Sequence, residues 1–364
     1  MTHKNNSLAM FGAVSVIVLA AAACGPRTDT AKTPGDTPAA ASQPPQGGNA
    51  DADMQAVLDK LASLGGKPIE TLSPADARLQ PTPADAVKAL MTEKGIAADT
   101  TVTTQDVTYP AASGAQKARI YKPANVAANA PVVLYIHGGG WVIADIDVYD
   151  SSPRALAKAT GAIVVSIEYR HAPEAKFPAA HDDANAAYQW VLKNAAGWGG
   201  DPKKVAVIGE SAGGNMAVNV AIAARDKGWT APLAVVAVYP VADSNLSTGS
   251  KLARATAKPL NTPMLAWFFT HTLSNPSQAM DPRLNLVGAD LKGLPPTTII
   301  LAEIDPLRDD GMNLAEKLRA AGVVTEVKEY AGVTHEFFGM GAVVADAKDA
   351  GNYAAARMKT AFGM

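Results

Sequence analysis

Along the chain, stretches of apolar residues change their spacing in a regular way. Residues 54–95 have a three- and four-residue rhythm: in "MQAVLDKLASLG" the positions Met54, Val57, Leu58, Leu61 and Leu64 fall on one helical face. In "SPADARLQPTPADAVKALMTEKG", Ser73 and Thr82 each precede a proline. That is the arrangement of a capping residue followed by a first helical position that needs no amide hydrogen. At least two helices are therefore expected before any strand. Eight strand-like runs follow: "TTQDVTYP", "KARIYKP", "PVVLYIH", "AIVVSIEYR", "VAVIGE", "LAVVAVYP", "TTIILAEID" and "VTEVKEY".

The later runs are almost wholly apolar, and helical segments such as "SSPRALAKAT", "PAAHDDANAAYQWVLKN" and "GMNLAEKLRAAG" lie between strands. A strand that is apolar on both faces is covered on both faces, which predicts an α/β fold: a mostly parallel eight-stranded sheet with helices on each side. Residues 245–293 interrupt the alternation with "LNTPMLAWFFTHTL", an aromatic helix-like piece. Ligands of open α/β sheets bind at the carboxyl ends of the strands, so this segment and residues 51–95 are expected to form a helical cap there. The alternative is that they are extra helices covering the core.

The first 50 residues follow a different pattern. A short start with Lys4 leads into an apolar run from Leu8 to Ala23 and then the only cysteine, Cys24. The run is at the short end of the roughly 20 residues that span a bilayer, so residues 1–24 read as an export signal. Small residues before a lone cysteine resemble a bacterial lipoprotein signal, with Ala21 where leucine is more usual. That resemblance implies a lipid on Cys24 and membrane attachment facing the periplasm or cell exterior. An ordinary cleaved signal and an uncleaved anchor are the other readings. Residues 25–50, rich in Pro, Gly, Thr and Ala without apolar period, read as a disordered linker, leaving 51–364 as the folded α/β domain. A single cysteine rules out an intramolecular disulfide, and a formal charge of −2 without like-charge blocks gives no footprint for nucleic acid.

The candidate chemistry starts at "VAVIGESAGGNMAV". Gly209 and Gly213 flank Ser211 where an apolar strand gives way to a helical pattern, which suits a sharp strand-to-helix turn presenting the hydroxyl. A serine needs a base, and the base an orienting acid. Of the six histidines, His335 lies just after the last strand run, in "YAGVTHEFF"; His3 falls in the signal, and His171, His181 and His271 read as ordinary surface or core residues. Asp305 ends "TTIILAEID" at a strand terminus, whereas Glu303 lies within that strand and Asp309 and Asp310 in the first turn of the next helix. The chain order Ser211, Asp305, His335 is that of an α/β-hydrolase sheet. "IHGGGW" strips side chains from Gly138, Gly139 and Gly140, so that their amides, with that of Ala212, can receive an oxyanion. Trp141 beside them is a candidate wall of the acyl site.

Taken in order, "HGGGW", "YRHAPEAKFPAA", "GESAGGNMA", "DPLRDDG" and "GVTHEFF" resemble the hormone-sensitive-lipase family of α/β-hydrolases, the bacterial family IV esterases. The resemblance runs from about residue 54 to the C-terminus. It implies hydrolysis of short- to medium-chain carboxylic esters through an acyl-enzyme, with no metal or other cofactor. It puts the nucleophile on Ser211, the acid on Asp305, the base on His335 and the oxyanion donors on Gly138, Gly139 and Ala212, with Gly140 as a further donor. His137 and Glu210 match supporting positions. Two positions depart from the family: His171 stands where Leu is frequent, and Glu336 where Gly often follows the catalytic histidine. Amide, carbamate or lactone hydrolysis on the same groups, and a non-catalytic binding module, are the competing readings. The natural ester and the oligomeric state are not legible in the sequence.

Overall fold

The computed structural model describes residues 49–364. The signal, Cys24 and nearly all of the linker lie outside the described residues. No helix among the described residues is long and apolar enough to cross a membrane.

Three helices come first, α1 (Ala52–Ser63), α2 (Pro74–Ala77) and α3 (Pro83–Glu93). Both anticipated caps form: Ser73 accepts the Asp76 amide, and Thr82 and Asp85 exchange bonds in a capping box. The strands are β1 (Val102–Ala111), β2 (Gly114–Pro123), β3 (Ala130–Ile136), β4 (Ile163–Ile167), β5 (Gly200–Glu210), β6 (Val235–Val238), β7 (Thr297–Ile304) and β8 (Thr325–Thr334). Between and after them lie α4 (Ser151–Thr160), α5 (Ala179–Asn194), α6 (Ala212–Lys227), α7 (Gly249–Ala253), α8 (Thr262–Thr272), α9 (Arg308–Ala320) and α10 (Ala345–Phe362).

The eight strands make one sheet in the order β1-β2-β4-β3-β5-β6-β7-β8. β2 pairs antiparallel with both β1 and β4, and every other pairing is parallel. Alternate side chains of the apolar strands enter two separate cores. Val132, Leu134 and Ile136 of β3 join the layer containing α5, α6 and α9, while Val133 and Tyr135 join the layer containing α4 and α10. That two-residue period explains why these strands are apolar throughout. Apolar spacing does not single out α10, because most of its buried face is alanine: Ala347, Ala350, Ala354 and Ala355, with Met358 and Phe362.

After β3 the chain adds β4 on one side, and after β5 it proceeds to β6, β7 and β8 on the other. The carboxyl ends of β3 and β5 therefore flank the point where the winding reverses, the usual place for a ligand in such sheets. His137, Glu168, Ser211, Asp305 and His335 are each the first residue after a strand: β3, β4, β5, β7 and β8 respectively.

Candidate active site

Ser211 sits between β5 and α6 with φ 56° and ψ −117°, a backbone conformation that a side-chain-bearing residue adopts only under constraint. The constraint comes from the neighbours. A Cβ on Gly209 would lie 2.1 Å from the Gly213 carbonyl oxygen, and one on Gly213 would lie 2.0 Å from that of Ile136. Only glycine lets the turn pack this closely against itself and the end of β3. The Ser211 amide donates to the Val238 carbonyl at 2.9 Å, fastening the turn to β6.

His335 Nε2 is 3.0 Å from Ser211 Oγ, and its Nδ1 is 2.7 Å from Asp305 Oδ2. The other Asp305 oxygen accepts the Leu307 amide at 2.8 Å. All three residues are buried. Burial works against a charged imidazole, but the Asp305 carboxylate together with the charges of Glu336 and Glu210 more than offsets it, and His335 is raised above its ordinary pKa. The arrangement can take a proton from Ser211 and hold the resulting charge.

The glycine loop has its carbonyls occupied. That of Gly138 accepts from Tyr169 Oη at 2.7 Å and lies 2.9 Å from His137 Nδ1, while that of Gly139 accepts the amides of Val142 and Ile143, both at 3.0 Å. Gly139 and Gly140 have φ of 93° and 58°. A Cβ on Gly138, Gly139 or Gly140 would fall 2.3 Å from Tyr149 Oη, 2.0 Å from the Ile143 oxygen and 2.3 Å from Phe268 respectively. The first amides of α6, beginning with Ala212, have no carbonyl one turn earlier to bond. Gly139 and Gly140 line the same cavity as Ser211.

Glu210 lies buried behind the nucleophile, accepting from the hydroxyls of Tyr135 and Tyr239. Burial, with the Glu336 charge, pushes its pKa up to about 7. Glu336 has φ 71°, which explains why glycine suits that position; here its carboxylate accepts from Tyr149 Oη at 2.7 Å. Trp141 is buried, with its ring beside those of His181 and Phe269, and it borders the cavity. His181 bonds Asn215 at 2.9 Å, and His271 rests on Trp267 of α8. His171 lies next to Glu168. Asp309 and Asp310 occupy the first turn of α9, where Asp309 accepts the Ser250 amide and Asp310 pairs with the fully buried Lys251 at 2.7 Å. Glu303 accepts the Gly332 amide.

Above Ser211 and His335 opens a cavity of about 450 Å³. Leu58 and Leu61 of α1 and Met264, Leu265, Phe268 and Phe269 of α8 line it. Trp267, in the middle of the same aromatic run, instead donates to the Leu72 carbonyl at 3.0 Å. "LAWFF" is thus both cavity wall and packing between α8 and the segment before α2. Arg78, just after α2, donates to the carbonyls of Val142 and Ala172 and pairs with Glu174, latching the N-terminal helices to the glycine loop. Apolar spacing does not reveal Arg78, Tyr149 or Tyr169, although Tyr169 stands inside the "YRHAPEAKFPAA" motif; their partners are far away in the chain.

A serine bonded through a histidine to a carboxylate, at the carboxyl edge of this sheet, defines a serine hydrolase of the α/β-hydrolase architecture. The family model described as the alpha/beta hydrolase fold matches residues 133–339, and the chain belongs to that family, in the hormone-sensitive-lipase-like group. Carboxylesterase NlhH of Mycobacterium tuberculosis is 41% identical over 247 residues, covering 67% of this chain and 77% of that protein. Ethyl acetate hydrolase of Pseudomonas putida is 34% identical over 235 residues, covering 64% and 74%. The solved esterase of Pyrobaculum calidifontis matches with a TM-score of 0.75 at 34% identity, covering 83% of this chain and 96% of that one.

Proposed function

We propose that the protein is a serine carboxylesterase acting on short- to medium-chain esters, with Ser211 as nucleophile, His335 as general base and Asp305 as its orienting acid. The observation that carries this reading is the buried Ser211–His335–Asp305 hydrogen-bond chain beneath an apolar cavity. His335 takes the Ser211 proton as Oγ attacks the ester carbonyl. The amides of Gly138, Gly139, Gly140 and Ala212 form the set that receives the oxyanion. His335 then protonates the leaving alkoxide. Water, activated by the same imidazole, attacks the acyl-enzyme and releases the acid. The esterase names of the relatives support the bond class, and the cavity volume supports an acyl group of modest length.

The test is fluorophosphonate labelling of wild type and Ser211→Ala, followed by turnover of nitrophenyl esters of increasing chain length. Labelling confined to wild type with a maximum at short to medium chains is the expected result. Undiminished turnover by Ser211→Ala would overturn the assignment.

For localisation, we propose export and lipidation at Cys24, supported by the apolar run and the small residues preceding the lone cysteine. Labelled palmitate should appear on wild type and be absent from Cys24→Ala. Its absence from wild type would rule lipidation out.

A further inference from the structure

β3 and β4 are parallel neighbours with Ile136 opposite Ile167, so His137 and Glu168 leave the sheet side by side. His171 follows three residues after Glu168. His137 Nε2 is 3.4 Å from Glu168 Oε1, and His171 Nε2 is 3.3 Å from the same oxygen. One donor atom from each of the three residues falls within 4.8 Å of the others. All three facing atoms are buried and none has a hydrogen-bond partner.

The tautomer of His137 makes this notable. Its Nδ1 is 2.9 Å from the Gly138 carbonyl oxygen, which can only accept, so Nδ1 carries the hydrogen and the neutral ring presents a lone pair at Nε2. That lone pair faces a carboxylate oxygen in the interior. Two acceptors left facing each other are unfavourable, and a cation between them reverses the sign. Tetrahedral zinc, with bonds of roughly 2.0–2.1 Å, needs donor atoms about 3.3–3.4 Å apart, the separation found at both Glu168 contacts. The surroundings are those of a ligand set: a histidine with its other nitrogen on a backbone carbonyl, and a carboxylate whose second oxygen accepts the Ile146 amide at 3.3 Å. Tyr169 stacks on His137 at 4.4 Å and meets His171 edge-on at 5.2 Å, fixing both rings.

We propose that His137, Glu168 and His171 form a binding site for a divalent zinc-class metal ion behind the glycine loop. Glu168 and His171 keep 17% and 18% of their side-chain surface exposed, so the cluster lies close to the surface although its donor atoms are buried. Of the charges nearby, Asp145 favours a cation, and Arg78, which opposes one, is already paired with Glu174. The ion takes no part in acyl transfer. It ties the end of β3 to the end of β4 and, through His137, braces the residue from which the glycine loop begins. The site is independent of the esterase reading.

The test uses the full chain, stripped with a chelator, dialysed and titrated with Zn²⁺, with bound metal counted after gel filtration and thermal unfolding recorded. One equivalent bound and a raised midpoint are expected, and Co²⁺ in place of zinc should give the visible absorption of a four-coordinate site. In His171→Leu and, separately, Glu168→Gln, affinity should fall by at least about tenfold, while circular dichroism and ester turnover of His171→Leu stay close to wild type. No uptake by the stripped wild type, or equal uptake by wild type and both folded variants, would overturn the proposal. The first result would leave a bridging water or an ion pair as what fills the cluster; the second would mean binding elsewhere on the chain.

Discussion

The floor and the roof of the cavity are built on different principles. The floor is backbone and strand ends: Ser211, the glycine loop and His335, held so closely that a single Cβ at Gly139 would stand 2.0 Å from a carbonyl oxygen. The roof is made of side chains from α1 and α8, chiefly Leu58, Leu61, Met264, Leu265, Phe268 and Phe269. On the proposed mechanism the floor, which tolerates almost no change in atoms, does the chemistry, and the roof, which tolerates more, sets what fits. Reaction type and substrate range are thus separable, and substitutions on the two surfaces should have different signatures.

The largest effect is expected for Ser211→Ala, with loss of roughly 10⁶-fold in kcat and an unchanged fold by circular dichroism. Asp305→Asn should cost about 10⁴-fold, because the amide holds the wrong imidazole tautomer; a pH–rate profile and single-turnover kinetics would check it. Gly139→Ala should lose about 10²- to 10³-fold by displacing oxyanion donors, and lower the unfolding midpoint as well. On the roof, Leu265→Ala should change turnover of short esters by less than about tenfold and move the preferred acyl chain to greater length, measured across a nitrophenyl ester series. A collapse of activity on all chain lengths would erase the distinction between the two surfaces.

The finest probe is Glu336→Gln, which removes a negative charge 3.8 Å from His335 Nε2. That charge helps raise the His335 pKa, and the base must be neutral to act. The acidic limb of kcat/KM should therefore move to lower pH in the variant; an unmoved limb would mean that the Tyr149 bond already neutralises the influence of Glu336.

The two surfaces were also unequally legible in the sequence. The floor declares itself because local geometry demands particular residues: glycines around Ser211, a glycine run after β3, a carboxylate and a histidine just past strand ends. The caps at Ser73 and Thr82 are local in the same sense. The roof depends on which face of an aromatic helix meets which partner, and "LAWFF" reads equally well as wall or as core until Trp267 is seen turned toward Leu72. The Lys251–Asp310 pair leaves no trace in spacing either. A lysine in "GSKLARA" looks like surface, yet its ammonium also donates to the carbonyls of Asp243 and Asn245 in a fully buried pocket. His171 reads as an ordinary residue because its neighbour His137 is contributed by another strand.

Because Ser211, Asp305 and His335 are each the first residue after a strand, the sheet acts as a ruler. Adjacent strands lie about 4.8 Å apart, so Ser211 and Asp305, two strands removed from each other, are spaced by the ladder itself. One residue inserted within β7 would slide Asp305 along by about 3.3 Å and turn it to the other face. Additions at the opposite edge leave the ruler untouched. The connection between α6 and β6 is thus the favoured place to graft a tag or a partner domain onto a working enzyme.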